Sequence, residues 1–278
     1  MGSSERRQSL SLRFSNSSFR ELAWAWNYLK GLNSPLDYRR FGNPEYMSSD
    51  IIDVLIFYSD AALSEFYKIK DRAMLNDYEV GFISGSDDRR SSWLAYRFYK
   101  LGLVMQNEFL DGRLKENDFI LMVFDVLSQP LSDKRRILNS LVAEWSEISR
   151  LDVSYKWTDE FKNSDEFGLW LLDKANEMTG LQYIYGKAQH PFDAKGRVLK
   201  FKCMMDQWEQ PMTVKTSVID KLKRQWMSRG RVKSKGRVQF NVLVRPETKS
   251  GIKALKDRHD LKSGGEVLDM LVCDALLK

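Results

Sequence analysis

The sequence predicts a mainly α-helical protein, with a helical N-terminal region followed by a smaller C-terminal unit of one short strand and two helices. Apolar residues recur at helical spacing through most of residues 1–200, whereas residues 237–245 alternate between apolar and mostly polar side chains. The chain has 278 residues, of which 43% are hydrophobic and 29% are charged. This composition is typical of soluble globular proteins and excludes a wholly disordered or collagen-like chain.

Helices are predicted from the first part of the chain onwards. Segment 17–30 places Phe19, Leu22 and Trp26 on one face, and Gly31 supplies a stop. By the same reasoning, further helices are expected at 49–69, 89–105, 117–128, 132–149 and 164–179. Aromatic residues at this spacing indicate a packed core rather than a ligand site.

Residues 9–14 depart from the helical pattern. They read SLSLRF, and this strict alternation predicts a short strand. A strand packed on the helical domain is the favoured interpretation. The alternative is a degenerate second copy of the C-terminal strand–helix–helix unit, because a capped helix follows the alternating residues at once.

The positive charge of the chain lies near its C-terminal end. Residues 201–278 contain 17 Lys or Arg and 9 Asp or Glu, a net charge of +8, whereas residues 1–200 carry 27 basic and 29 acidic residues. Segment 221–237 holds eight basic residues and no acidic one. Such a segment repels itself unless it meets a polyanion. We therefore predict three parts: a helical domain of unknown role at 1–160, a helical segment ending in the basic run at 165–235, and a DNA-binding domain at 236–278.

The predicted strand at 237–245 has two different faces. Its apolar face carries Val238, Phe240, Val242 and Val244. Its other face carries Arg237, Gln239, Asn241, Leu243 and Arg245. Pro246 ends the strand and is well placed to begin a helix.

Two short helices are predicted after the strand. The first covers about 247–259 and points Ile252 and Leu255 toward a core, and the second begins at Ser263 and Glu266, which have the spacing of a capping box. A unit of roughly 40 residues is too small to bury its apolar face alone. Two copies could pair their strands as an antiparallel ribbon, whose polar face fits a DNA major groove. There Gln and Asn can read adenine and Arg can read guanine.

The order strand–helix–helix, with Gln239-Phe240-Asn241 in the strand, resembles the ribbon-helix-helix (Arc/MetJ/CopG) superfamily. Segment 217–277, with its basic run before the strand, is similar to the MatP family of macrodomain Ter proteins. The resemblance implies a homodimer that inserts a two-stranded intersubunit sheet into DNA. It implies base contacts from Arg237, Gln239, Asn241 and Arg245.

Phosphate contacts are expected on either side of the strand. Those in the basic run are Lys221, Lys223, Arg224, Arg229, Arg231, Lys233 and Lys235. The N-terminus of the last helix, at Ser263, Gly264 and Gly265, would hold a phosphate on backbone N–H groups.

The predicted function is therefore sequence-specific binding of double-stranded DNA as a homodimer, without catalysis, cofactor or metal. The protein would be a transcriptional regulator or a DNA-organising protein, nucleoid-associated in the cytoplasm. The helical N-terminal region could bind a protein partner. No apolar run reaches the ~18 residues of a membrane span, so no membrane association is expected.

Two alternatives remain open at this point. The protein could be a plasmid partition or relaxosome accessory factor, which also binds DNA. It could instead be a metal-dependent nuclease, with Asp193 and Lys195 beside Asp173 or Glu177 as the Mg²⁺ site. Only two histidines, His190 and His259, and two isolated cysteines are present, which leaves little for other metal or acid–base chemistry.

Overall fold

The computed structural model describes residues 3–103, 114–181, 184–185, 191, 193–234 and 245–276. Contacts divide the chain into two compact units, residues 1–225 (unit 1) and residues 226–278 (unit 2). Within the described ranges every regular element is a helix. The mainly α-helical prediction is therefore confirmed.

Fourteen α-helices are found in the described residues. The first seven are α1 (Ser3–Ser15), α2 (Phe19–Gly31), α3 (Pro44–Leu55), α4 (Asp60–Ala73), α5 (Gly81–Ser84), α6 (Asp88–Lys100) and α7 (Glu116–Val126). The other seven are α8 (Leu131–Ile148), α9 (Leu151–Tyr155), α10 (Asp165–Thr179), α11 (Ala194–Gln207), α12 (Met212–Ser234), α13 (Pro246–Arg258) and α14 (Gly264–Leu276). Short 3-10 helices lie at Tyr38–Arg40 and Lys156–Glu160.

The ribbon-helix-helix fold class is contradicted. The part of the chain that the structure describes contains no strand and no sheet, so an intersubunit two-stranded sheet has no support. The predicted ribbon needs one strand in each copy to pair with its counterpart, and no strand is present among the described residues of this chain. Residues 237–244 of the predicted strand lie outside the described residues, and Arg245 is the extended residue that precedes α13.

The predicted strand at 9–14 is also wrong, because these residues belong to α1. Leu10 and Phe14 are both buried, whereas Leu12 is 66% exposed. A spacing of four residues satisfies a helical face as well as a strand face, so the alternation was ambiguous. The alternative of a second strand–helix–helix unit at the N-terminus is therefore wrong as well, because it required this strand.

The single helix predicted at 49–69 is two helices. The first, α3, begins behind Asn43, whose side chain accepts hydrogen bonds from Glu45 N and Tyr46 N. The second, α4, begins behind Ser59, whose hydroxyl accepts a hydrogen bond from Ala62 N at 3.2 Å. A capping residue of this kind satisfies an otherwise unpaired N–H group, and it allows the chain to turn between the two helices.

The core of unit 1 includes the following two apolar clusters. One is built on α2, α3 and α4 around Trp24, and the other on α6, α7 and α8 around Trp93. Each of these Trp side chains is only 2% exposed. In unit 2, α13 packs on α14, and the core there is small: Val267 is the one buried hydrophobic residue among those described.

A buried polar arrangement holds α2, α7 and α8 together in unit 1. Arg20 donates to both carboxylate oxygens of Asp125, from Nε at 2.7 Å and from Nη2 at 2.6 Å, and its Nη1 donates to Asp77 at 2.6 Å. Lys134 Nζ donates to the backbone oxygen of Asp125 at 2.7 Å and to that of Ala73 at 2.6 Å. We call Arg20, Asp125 and Lys134 the first node.

The same arrangement occurs a second time. Arg89 donates to both carboxylate oxygens of Asp206, from Nε at 2.6 Å and from Nη2 at 2.9 Å, and its Nη1 donates to Asp152. Lys215 Nζ donates to the backbone oxygen of Asp206 at 3.1 Å. Arg89, Asp206 and Lys215 form the second node, which joins α6, α11 and α12.

The sequences around the two nodes also match. Residues 125–134 read DVLSQPLSDK and residues 206–215 read DQWEQPMTVK, so Asp, Gln, Pro and Lys recur at equal spacing. Trp24 follows Arg20 by four residues, as Trp93 follows Arg89. Unit 1 therefore contains one structural framework twice.

Candidate nucleic-acid interface

The basic run lies largely on α12, the longest described helix. In unit 1, Ile219 and Leu222 are fully buried and anchor this helix to the core. The side chains of Lys221, Lys223 and Arg224 are exposed. The apolar side of this helix is therefore held in the core, and its basic side chains point away from the core. They can contact solvent or a polyanion.

Lys221, Lys223 and Arg224 take part in no ion pair within the part of the chain that the structure describes. Arg224 Nε donates to the backbone oxygen of Asp220 at 3.3 Å. Lys221 is near enough to Glu177 to help lower the pKa of that carboxyl, although the hydrogen bond from Lys174 is the main cause. Among the described residues, these three positive charges therefore have no carboxylate contact.

The rest of the predicted basic run belongs to unit 2. The guanidinium of Arg229 lies 5.7 Å from the ring centroid of Trp226, within the range of a cation–π contact. Arg231 and Lys233 lie on α12, which ends at Ser234. Four other predicted contact residues fall outside the described residues: Lys235, Arg237, Gln239 and Asn241.

Helix α13 adds basic residues that were not among the predicted contacts. Lys249, Lys253 and Lys256 are spaced by four and three residues, which places them on one face of the helix. None of them forms an ion pair with a described residue. Arg245, a predicted base contact, is exposed immediately before this helix. The spacing of these three lysines is visible in the sequence. It was missed because segment 247–259 was interpreted only through its apolar residues.

The boundary between the two units also divides the charge of the chain. Residues 226–278 contain 12 Lys or Arg and 6 Asp or Glu, whereas residues 1–225 contain 32 of each kind. Unit 2 therefore carries +6, which is the net charge of the whole chain.

The predicted phosphate site at Ser263, Gly264 and Gly265 lies at the N-terminus of α14. Ser263 Oγ accepts a hydrogen bond from Glu266 N at 3.3 Å, as the predicted capping box requires. The Glu266 carboxylate accepts a hydrogen bond from Lys262 N at 2.7 Å. This carboxylate already supplies negative charge to the helix end, so a phosphate arriving there would meet electrostatic repulsion.

No family model, curated protein or solved structure matches this chain. The resemblance to the ribbon-helix-helix and MatP families therefore stays a prediction from the residues alone. Among the described residues, no helix is long and apolar enough to cross a membrane.

The nuclease alternative rests on Asp193 and Lys195. Asp193 is the N-cap of α11, and its carboxylate accepts a hydrogen bond from Gly196 N at 2.7 Å. Glu177 accepts a hydrogen bond from Lys174. The described ranges contain no group of three His, Cys, Asp or Glu side chains that could hold a metal ion. In the described residues these carboxylates act as helix caps and ion-pair partners.

Proposed function

We propose that this protein binds double-stranded DNA through residues 217–278 and acts as a transcriptional regulator or a DNA-organising protein. The observation that carries the proposal is the location of charge: unit 2 holds the entire net charge of +6, and the exposed Lys221, Lys223 and Arg224 have no carboxylate partner among the described residues. Positive charge concentrated on one part of an otherwise neutral protein is the expected property of a surface that binds nucleic acid.

Helix α12 is suited to phosphate contacts because it presents long basic side chains from a fixed backbone. Lysine and arginine that neutralise phosphates release counterions, so binding weakens as salt rises. In unit 2, the lysines of α13 supply further positive charge. These groups attract any DNA sequence and carry no base preference.

Base recognition is proposed for Arg237, Gln239, Asn241 and Arg245. Their side chains match the hydrogen-bonding groups of guanine and adenine in the major groove. This part of the proposal comes from the sequence, and it does not require a ribbon.

A homodimer is proposed because unit 2 leaves an apolar face exposed. On α14, Leu268, Leu271, Val272 and Leu276 are between 39% and 81% exposed, and their spacing places them on one side of the helix. Among the described residues of this unit, Val267 is the one buried hydrophobic residue. A unit this small can complete its core by packing against a second copy.

The test is a salt titration of DNA affinity. We expect the wild-type chain to bind a DNA duplex with a steep salt dependence. Replacing Lys221, Lys223 and Arg224 with Gln should weaken binding to all duplexes and reduce the salt slope by about 0.9 for each phosphate that is no longer neutralised.

The matched control replaces Lys68, Lys156 and Lys162, which are exposed in unit 1, with Gln. This control removes the same net charge, so an effect of net charge alone would weaken both variants equally. Equal weakening, or no binding by the wild-type chain at low salt, contradicts the proposal.

A further inference from the structure

Lys221, Lys223 and Arg224 do not share one face of α12. An α-helix turns by about 100° per residue, so Lys221 and Arg224 lie about 60° apart around its axis, whereas Lys221 and Lys223 lie about 160° apart. A strand of DNA backbone that runs along the helix can therefore meet Lys221 and Arg224 together. Lys223 lies on a different side of the helix and is left out of that contact.

A carboxylate separates Lys223 from Arg224 on the surface of α12. Asp220 precedes Lys223 by three residues and Arg224 by four, and residues at these spacings are neighbours on a helix. Asp220 is exposed and forms no ion pair with a described residue. Its negative charge repels phosphate, so a DNA strand that moved from Arg224 toward Lys223 would lose affinity.

The side of α12 that carries Asp220 also lies beside the end of α8. Asp220 and Arg224 line one depression of about 580 Å³ together with Glu147 and Arg150. Arg150 Nη1 lies 2.8 Å from Glu147 Oε2, so these two charges are already paired. This side of α12 therefore attracts phosphate less than the side that carries Lys221 and Arg224.

A second carboxylate lies near Lys221. Glu177 on α10 accepts a hydrogen bond from Lys174. That hydrogen bond, with a smaller contribution from the charge of Lys221, lowers the pKa of Glu177. Negative charge is therefore close to both basic residues of this face, which narrows the part of α12 that attracts phosphate.

Ser217 continues the face of Lys221 and Arg224 toward the N-terminus of α12. It precedes Lys221 by four residues and Arg224 by seven, so the three residues lie on one side of the helix. Ser217 is exposed, and its hydroxyl has no hydrogen-bond partner among the described residues. The neighbouring hydroxyl of Thr216 instead donates to the backbone oxygen of Met212 at 2.9 Å. Ser217 is thus able to donate to a phosphate, a contact that serine commonly makes with DNA.

We propose that a strand of the DNA backbone runs along one face of α12, where Ser217, Lys221 and Arg224 contact its phosphates and Lys223 does not. This inference rests on the proposed function and specifies which surface of unit 1 meets the DNA. Ser217 and Arg224 lie about 10 Å apart along the helix axis, so the face is long enough to reach neighbouring phosphates. Asp220 limits the affinity at its border.

The first test compares the salt dependence of single variants. The full-length chain is titrated against a labelled DNA duplex of mixed sequence over a series of KCl concentrations. Lys221→Gln and Arg224→Gln should each reduce the salt slope by about 0.9, because each removes one neutralised phosphate. Lys223→Gln is the matched control on the same helix, with the same change of charge, and should leave the slope as in the wild type.

Ser217→Ala gives a different signature. We expect it to weaken DNA binding by about three- to tenfold, since one hydrogen bond to a charged group is lost. The salt slope should not change, because a neutral hydroxyl releases no counterion. Ser64→Ala, at an exposed position of α4, is the control and should bind DNA as the wild type does.

Asp220→Asn should strengthen DNA binding by about two- to fivefold, because it removes a repulsive charge beside Arg224. Damage to the fold cannot produce such a gain, so this variant remains informative if another one is poorly folded. The control is Asp71→Asn, which removes an exposed carboxylate on α4 and should leave the affinity unchanged.

The outcomes separate this inference from the proposed function. A wild-type chain that does not bind DNA contradicts the proposed function as a whole. If the wild-type chain binds, three results would each overturn the assignment of the face alone. They are an equal fall in salt slope for Lys223→Gln and Lys221→Gln, unchanged affinity of Ser217→Ala, and unchanged or reduced affinity of Asp220→Asn.

Discussion

Arg20 and Asp125 lie 105 residues apart in the sequence and are joined by two hydrogen bonds of 2.6 Å and 2.7 Å in the interior of unit 1. The carboxylate of Asp125 is almost fully buried, and burial raises its pKa while the guanidinium of Arg20 opposes that rise. Arg89 and Asp206 repeat the pair in the second node. Each pair joins two helices that are far apart in the sequence.

Asp125→Asn and Asp206→Asn should therefore each destabilise unit 1 strongly. Each change leaves a buried guanidinium without its main counter-charge, which typically costs about 3–5 kcal/mol. Urea unfolding of the full-length chain measures the loss.

The control for these variants is Asp133→Asn. This residue pairs with Arg136 on the surface at 3.1 Å, and its loss should cost less than about 1 kcal/mol. Comparable losses in all three variants would show that the nodes are not stabilising elements.

Lys134 makes the stability of unit 1 depend on pH. Burial lowers the pKa of Lys134 from its ordinary 10.5 to about 8, although the nearby Asp125 opposes this. Between these two values the unfolded chain binds more protons at this site than the folded chain does. The contribution of Lys134 to the free energy of unfolding therefore rises with pH in this window, by at most about 1.4 kcal/mol per pH unit.

The measurement compares the wild-type chain with Lys134→Met at pH 8 and pH 9. The free energy of unfolding of the wild-type chain, relative to that of Lys134→Met, should be higher at pH 9 than at pH 8. Lys68→Met, at an exposed position on α4, is the control. A stability difference that is the same at both pH values would contradict the role of Lys134.

Local patterns predicted the helices well. The segment expected at 132–149 is α8 at Leu131–Ile148, and the one expected at 164–179 is α10, with Ser164 as its N-cap and Gly180 in the left-handed conformation that ends it. Apolar periodicity and capping chemistry act within a few residues, so they are visible in a sequence. The division between α3 and α4 was missed because apolar residues on both sides concealed the cap at Ser59.

Long-range features were harder to predict. The bond from Arg20 to Asp125 depends on tertiary packing, and nothing local to either residue indicates it. The matching segments DVLSQPLSDK and DQWEQPMTVK were visible in the sequence, but their meaning required the hydrogen bonds. For the candidate interface, the part of the basic run that is described lies on α12, whereas the predicted base contacts Arg237, Gln239 and Asn241 lie outside the described residues.

The apolar face of α14 predicts the oligomeric state. Leu271→Lys places a charge in the centre of this face and should convert a dimer into a monomer in sedimentation equilibrium. Val153→Lys, at a position of unit 1 that is 71% exposed, is the control and should leave the dimer intact. The homodimer proposal would be contradicted if the wild-type chain were a monomer, or if the Leu271→Lys variant remained a dimer.

A single experiment should distinguish base contacts from phosphate contacts. A preferred duplex is first selected from a random library with the wild-type chain, and its affinity is compared with that of an unrelated duplex. Gln239→Ala and Asn241→Ala should each reduce the difference between the two duplexes by roughly 1–3 kcal/mol, because a base contact contributes only at the preferred sequence. Replacing Lys249, Lys253 and Lys256 with Gln should instead weaken both duplexes alike, since phosphates are the same in every sequence. If the Gln239 and Asn241 variants lose affinity for both duplexes equally, these residues act as backbone contacts, and the proposal of sequence-specific reading fails.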